Sequence, residues 1–122
     1  MPSLQLNTNA KIADVTAFAL EFSKESARIL SKDESSLVVS VLPVPVVVIN
    51  GTAEPAFQLF VASLDNLSPS NTQKFSKAFS EFLNKSLGLS NDRGLIVFLD
   101  PGADNIGFLG NTSAGLVAQG LL

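Results

Sequence analysis

The sequence predicts an α+β fold, with a duplicated β-α-β unit forming one four-stranded mixed sheet and two helices on one of its faces. Two observations predict it. A segment with helical spacing of apolar residues lies between two segments with strand patterns, and this order occurs twice along the chain. In addition, 122 residues with 46% hydrophobic composition suit a single domain over residues 1–122.

The first unit lies in the N-terminal part of the chain. Polar and apolar side chains alternate from Ser3 to Asn7, which indicates a half-buried strand. Apolar residues at helical spacing up to Leu30 predict a helix with Asp14 as its N-cap. The run 36–42, SLVVSVL, is continuous and rich in β-branched residues, so we expect a central strand there.

The second unit repeats this order. The run 56–64, AFQLFVASL, has the composition of a strand. Ser68-Pro69 predicts an N-cap and a first helical residue, and Gly88 lies where a C-cap is expected. Apolar residues between Phe75 and Leu87 form one helical stripe, and 95–99 follows as an apolar strand. Each unit is long enough for a crossover that joins two parallel strands.

Two helices on one face leave the other face of the sheet uncovered. Several strand positions that must point to that face are Val, Leu or Phe, and the mean hydropathy of +0.34 is high for a small soluble protein. The segment Val46–Ile49, closed by an Asn50-Gly51 turn, is expected to be a short edge strand that needs a partner. We therefore expect a homotrimer in which three sheets enclose a central barrel. A monomer with a hydrated outer face is the alternative.

Composition excludes several functional classes. The chain contains no Cys and no His, so thiol catalysis, disulfides and thiolate metal sites are excluded and the commonest general base is missing. We expect neither a metal nor a cofactor. The net charge of −3 and the lack of a basic cluster argue against binding to nucleic acid or to an anionic membrane.

The N-terminal sequence predicts a cytoplasmic protein. It has no basic region followed by an apolar core, so it does not have the pattern of a secretory signal. The longest apolar run, 42–49, contains two prolines and is too short to span a bilayer. Secretion by a route without a signal peptide is the alternative, and a protein receptor would then be a partner.

Proline at position 2 has a specific chemical consequence. Methionine aminopeptidase removes an initiator Met when residue 2 is small, so the mature chain would begin with the secondary amine of Pro2. An α-amine titrates near ~8 in model peptides, and burial favours its neutral form, which is a usable general base. The alternative is that Pro2 is an ordinary residue after Met. If Met1 is retained, the Pro2 nitrogen is an amide and cannot act as a base.

Five segments of the chain carry motifs that are similar, in order and nearly without gaps, to those of one known family. They are PSLQLNTNAK at 2–11, SKD at 31–33, GTAEPAFQLFVASL at 51–64, SKAFSEFLNKSLGLSNDRGLIVF at 76–98 and NIGFLGNT at 105–112. Together they resemble the macrophage migration inhibitory factor family, which includes D-dopachrome tautomerase. The resemblance implies a trimeric keto–enol tautomerase that acts on small aromatic 2-oxo acids or dopachrome-like compounds.

The resemblance also implies roles for individual residues. Pro2 matches the catalytic base of the family, and Lys32 matches the lysine that neutralises the substrate carboxylate. A solvated lysine in a helix–strand loop is the alternative for Lys32. Ser63 and Leu64 match the strand end that borders the amine.

Four more positions match the outer walls of the family's pocket, which lies between adjacent subunits. Ile106 and Phe108 match its apolar wall, whereas Leu95 and Val97 would come from the neighbouring chain. Two positions depart from the family pattern. Leu95 replaces the Tyr of the cytokine members, although D-dopachrome tautomerase has Leu there too. Val97 replaces an Asn or Arg that would hold the polar end of the substrate.

Three functions follow from these observations. The first is a tautomerase. The second is a cytokine-like or signalling trimer that keeps the fold with little or no turnover, an alternative favoured by Val97. The third is an unrelated ferredoxin-like subunit. The family's paired-cysteine motif is replaced by Ala56–Leu59, which excludes thiol-oxidoreductase activity. The tail 113–122 differs from that of the family.

Overall fold

The first β-α-β unit consists of β1 (Ser3–Thr8), α1 (Val15–Leu30) and β2 (Val38–Pro43) in a computed structural model, which describes residues 1–122. Helix α1 begins where predicted, because the Asp14 carboxylate accepts a hydrogen bond from the Ala17 N–H at 3.0 Å. It ends at Ser31, which takes the left-handed conformation with φ of 54°. A 3₁₀ turn, Glu34–Ser36, then leads into β2.

The second unit consists of β3 (Phe57–Ala62), α2 (Pro69–Leu87) and β4 (Gly94–Leu99). Both predicted caps of α2 are confirmed. The Ser68 hydroxyl accepts from the Asn71 N–H at 3.2 Å, and Gly88 ends the helix with φ of 68°. This positive φ favours glycine because it has no Cβ.

The four strands form one mixed sheet in the order β2-β1-β3-β4. β1 is parallel to β2, antiparallel to β3, and β3 is parallel to β4, so the predicted duplicated β-α-β fold is confirmed. The expectation that 36–42 forms a central strand is wrong, because β1 and β3 pair directly and each crossover places its second strand at an edge. The apolar character of β2 therefore does not reflect burial on both faces: Val38 is 49% exposed.

The core lies between α1, α2 and the inner face of the sheet. Phe22 of α1 stacks on Phe18 and on Phe82 of α2, and it meets Phe79 edge-on. The sheet contributes its alternate, inward-pointing side chains to the same cluster; these are Leu4, Leu6, Phe57, Leu59 and Val61.

The outer face of the sheet is uncovered within one chain, as the sequence predicted. Its central part is mostly polar, since Gln5, Asn7 and Gln58 lie there. Apolar side chains between 38% and 60% exposed surround them; these are Val38, Leu42, Phe60, Leu95, Val97 and Leu99. The exposed apolar positions therefore lie mainly on the two edge strands.

The predicted edge strand at Val46–Ile49 is not formed. β2 ends at Pro43, and its last hydrogen bond to β1 is the one that the Val44 N–H donates to the Thr8 carbonyl at 2.9 Å. Pro45 cannot donate a ladder hydrogen bond, and no strand of the same chain lies beside this segment. A single bridge joins Ile49 to Thr52 across the predicted Asn50-Gly51 turn.

A small C-terminal unit follows β4 and was not predicted from the sequence. It consists of a 3₁₀ turn (Ala103–Asn105), a two-residue hairpin of β5 (Gly107–Phe108) and β6 (Asn111–Thr112), and α3 (Ser113–Ala118). Leu116 of α3 is buried. None of the three helices is both long enough and apolar enough to cross a membrane.

Candidate active site

Several of the predicted site residues lie at one end of the sheet because of its topology. β1 and β2 both begin at this end, and β3 and β4 both end there, as the strand registers require. Because α1 leads into β2 and α2 starts after β3, the C-terminus of α1 and the N-terminus of α2 reach the same end. Pro2, Lys32, Ser63 and Leu64 are therefore brought to one region of the molecule.

Pro2 is buried at the start of β1. Its carbonyl accepts a hydrogen bond from the Val38 N–H at 3.0 Å, which fixes the first residue of the chain to β2. The antiparallel register pairs Ser3 with Ala62, so Ser63 is the next position opposite Pro2. While Met1 is attached, the Pro2 nitrogen is an amide and has no basic lone pair.

The end of β3 is held by hydrogen bonds on both sides of Leu64. Ser63 is fully buried; its N–H donates to the Leu99 carbonyl at 3.0 Å and its hydroxyl donates to Asn66 Oδ1 at 2.6 Å. Asp65 has a positive φ of 62°, and its N–H donates to the Asp100 carboxylate at 3.0 Å. Backbone N–H groups of Asp65 and then Gly102 hold the pKa of Asp100 below its usual value.

Lys32 is exposed in the connection between α1 and β2. Its backbone N–H donates to the Ala27 carbonyl at 3.0 Å, and its side chain forms no salt bridge. It lines a groove of about 250 Å³ between the end of α1 and the start of α2. The other lining residues are Ile29, Leu30, Ser31, Asn66, Asn71, Lys74 and Phe75.

Leu95 and Val97 lie on the outer face of β4, away from this groove. Leu95 is 56% exposed and pairs with Gln58, four residues before Ala62, which is about 13 Å along the strand. Ile106 and Phe108 are half-buried in the C-terminal unit, where the Ile106 carbonyl accepts from the Ser113 N–H at 2.8 Å. None of these four residues lines the Lys32 groove.

Of the residues that line this groove, the sequence analysis assigned only Lys32 to the site, and Asn66 and Lys74 are two that it missed. Asn66 accepts the Ser63 hydrogen bond, and its amide nitrogen is buried without a partner. Lys74 is an exposed residue near the start of α2. The sequence signal for Asn66 is its position three residues after Ser63, whereas nothing local marks Lys74. No three Asp or Glu side chains lie close enough together to hold a metal ion.

Comparison with known proteins identifies the family of this chain. The family model described as macrophage migration inhibitory factor matches residues 1–114. The chain belongs to the macrophage migration inhibitory factor family. Among relatives, the macrophage migration inhibitory factor homolog of Trichinella spiralis is 32% identical over 113 residues, which are 92% of this chain and 99% of that protein. The D-dopachrome decarboxylase of Bos taurus is 36% identical over 100 residues, 80% of this chain and 85% of that protein.

Solved structures of the macrophage migration inhibitory factor family share the fold. The homologue from Prochlorococcus marinus superposes with a TM-score of 0.81 at 28% identity, covering 90% of this chain and 97% of that one. The resemblance inferred from the five sequence segments is therefore confirmed. The family match ends at residue 114, within α3, so most of the divergent tail lies outside it. The roles assigned to individual site residues stay predictions.

Proposed function

We propose that the protein is a keto–enol tautomerase that acts on small aromatic 2-oxo acids or dopachrome-like compounds, as a homotrimer in the cytoplasm. The observation that carries this proposal is the position of Pro2. It is buried beside Ser63, at the end of the sheet where Lys32 also lies. Family membership supports the same reaction class.

The proposed reaction needs a neutral amine at Pro2, and removal of Met1 creates it. Desolvation disfavours the charged form of an amine, so the proposal requires the Pro2 nitrogen to stay screened from water once Met1 is removed. This nitrogen takes a proton from the carbon next to the carbonyl of the 2-oxo acid, and the bonding electrons form the enolate C=C bond. The carbonyl electron pair moves onto oxygen, and the protonated Pro2 amine returns its proton to this enolate oxygen, directly or through water, so the enol forms and the neutral amine is regenerated without a net change of atoms or charge.

Lys32 binds the substrate carboxylate in this proposal. Its ammonium group is exposed and has no salt-bridge partner within the chain, so it is available for an anionic ligand. The outer-face residues Leu95 and Val97 of a neighbouring subunit complete the pocket wall, together with Ile106 and Phe108.

A pocket shared between subunits requires a trimer, and light scattering at micromolar concentration should give three times the chain mass of 12.8 kDa. The mass of one chain would contradict the trimer.

Kinetics of the Met-free protein (residues 2–122) test the two central roles. Pro2→Gly should lower kcat with phenylpyruvate by about 10²-fold or more, the scale expected when a general base is removed. Lys32→Ala should mainly raise KM, because it removes attraction that the ground state and the transition state both feel. Lys24→Ala is the matched control, since Lys24 is an exposed lysine of α1 that does not line the groove. Equal effects of the two lysine variants, or an unchanged Pro2→Gly, would contradict the assignment.

A cytokine-like or signalling trimer with weak turnover is the second candidate, and Val97 favours it. Val97 is 39% exposed and apolar at the position where the family has Asn or Arg. If Val97 faces an open pocket, Val97→Asn should raise kcat/KM for phenylpyruvate by about tenfold. This is the effect expected from one new hydrogen bond to the polar end of the substrate. No turnover of phenylpyruvate or dopachrome by the Met-free protein, and no gain from Val97→Asn, would favour this second function. A protein receptor is its expected partner if the protein is secreted.

A further inference from the structure

We propose that Asp100 is a positioning residue for the tautomerase reaction: its carboxylate holds the backbone bend at Leu64–Asp65, which keeps the end of β3 beside Pro2. This inference rests on the proposed function and adds a residue that acts without touching the substrate. Asp100 directly follows β4, and the bend follows β3. Both therefore lie at the end of the sheet where β1 begins after Pro2.

The bend after Leu64 is strained. Asp65 has a positive φ of 62°, a conformation in which the Cβ of an ordinary residue is crowded. Asp65 is also exposed, so burial of its own side chain does not hold it in this conformation. Strained backbone persists only where the surrounding structure holds it, and it occurs often at functional sites. The bend therefore needs an anchor outside residue 65.

Asp100 provides this anchor with both of its carboxylate oxygens. Oδ2 accepts from the Asp65 N–H at 3.0 Å, and Oδ1 accepts from the Gly102 N–H at 2.9 Å. An ionised carboxylate accepts at both oxygens, whereas an asparagine amide has one acceptor oxygen, and its NH₂ group would face one of these two N–H donors. The two N–H groups lower the pKa of Asp100, so it is ionised at neutral pH. An ionised aspartate thus satisfies both donors, and an amide of the same shape does not.

The bend controls the position of Leu64. On one side of Leu64, the Ser63 N–H donates to the Leu99 carbonyl, and Ser63 lies opposite Pro2 in the register of β1 and β3. On the other side is the anchored Asp65. Leu64 itself is half-buried and forms no backbone hydrogen bond. Its position therefore depends on the bend, and loss of the anchor would let this apolar side chain move and admit water to the Pro2 nitrogen.

Phenylpyruvate kinetics of the Met-free protein test this role. Asp100→Asn should lower kcat by about three- to tenfold, which is the net contribution of one hydrogen bond converted into a rate. It should leave KM nearly unchanged, in contrast to Lys32→Ala. Asp14→Ala is the matched control, because it removes one bond between a carboxylate and a backbone N–H at the other end of α1, a 16-residue helix about 24 Å long. Asp14→Ala should keep the kcat of the parent protein.

A second substitution at the bend distinguishes positioning from a direct effect of the Asp100 charge. Glycine takes a positive φ without a Cβ penalty, so the backbone of Asp65→Gly needs no anchor to form the bend. Asp100→Asn should therefore lower kcat in the parent protein and have little effect in the Asp65→Gly background. An equal loss in both backgrounds would mean that Asp100 acts through its charge, and this result would overturn the positioning role.

Hydrogen exchange of the same variants gives a readout that does not require turnover. Asp100→Asn should speed exchange at residues 63–66, and Asp14→Ala should not; unchanged exchange in Asp100→Asn would overturn the hold on the bend. Turnover with an unchanged kcat in Asp100→Asn, or with an equal loss in Asp14→Ala, overturns the positioning role alone. A Met-free parent protein without turnover contradicts the proposed function, and faster exchange in Asp100→Asn then still supports the hold on the bend.

Discussion

Arg93 is predicted to hold the loop between β2 and β3 in place. Its guanidinium group donates to the carbonyl of Ile49 at 2.9 Å and to that of Glu54 at 2.8 Å, with longer bonds of 3.3 Å to Thr52 and Pro55. The first part of this loop, Val44 and residues 46–49, lines a groove with Leu95 on the outer face of the sheet. Arg93→Ala should therefore loosen this loop.

The magnitude follows from the number and length of these hydrogen bonds. Two of the four are short enough to contribute fully, and each hydrogen bond adds about 0.5–1.5 kcal/mol net to stability. Arg93→Ala should therefore lower the free energy of unfolding by ~1–3 kcal/mol. A loss at the upper end of this range requires that water does not hydrogen-bond to the four carbonyl groups in the variant. Thr52, Glu54 and Pro55 are exposed, so water can replace part of the interaction. We therefore expect a value near the middle of the range.

Urea denaturation measures this loss, and hydrogen exchange locates it. Arg28 is the other arginine of the chain and provides the control, because it is exposed and pairs only with Glu25 on the same helix. Arg28→Ala should lower the stability much less, because water screens this exposed ion pair. Faster exchange in Arg93→Ala should be confined to residues around 49–56. A loss no larger than that of Arg28→Ala, or faster exchange spread over the whole sheet, would refute the reasoning.

Three further predictions concern the fold. Phe79→Ala should lower the free energy of unfolding by ~3–5 kcal/mol in urea denaturation, because Phe79 is fully buried against Phe22; a loss below about 1 kcal/mol would contradict this packing. Gly94→Ala should cost about 1–3 kcal/mol in the same assay, because a Cβ there would overlap the buried Phe57 ring; an unchanged midpoint would contradict the overlap. Asp100→Asn should be destabilising at neutral pH only. The folded pKa of Asp100 is lowered, so its contribution is present above the unfolded pKa and is lost as pH falls through the folded one. A difference in urea midpoint that persists in strong acid would contradict this.

Local signals in the sequence were sufficient for α1 and α2 and for three of their four ends, but not for α3. The caps at Asp14, Ser68 and Gly88 depend on one side chain or one backbone angle, so the sequence shows them directly. The edge position of β2 was not predictable in this way, because an apolar run looks the same whether it is covered by its own chain or left exposed. The strand predicted at Val46–Ile49 failed for a related reason: a strand needs a neighbour, and this chain offers none.

The candidate site was predictable only in part. Pro2, Lys32 and Ser63 were found because the resemblance assigns them, and the duplicated topology brings them to one end of the sheet. Lys74 was missed because its position depends on how closely α2 approaches α1, which no local pattern encodes. The roles of Leu95 and Val97 stay predictions, since within one chain β3 separates their strand from β1 and they pair with Gln58 and Phe60, away from Pro2.

The central claim is that the free amine of Pro2 is the general base. The most direct test compares phenylpyruvate tautomerisation by two forms of the same protein, one beginning at Pro2 and one retaining Met1, with mass spectrometry verifying each N-terminus. The two forms differ only in Met1, whose removal converts the Pro2 nitrogen from an amide into an amine. We predict turnover by the Met-free form and a loss of about 10²-fold or more when Met1 is retained. Equal turnover by both forms would contradict the claim.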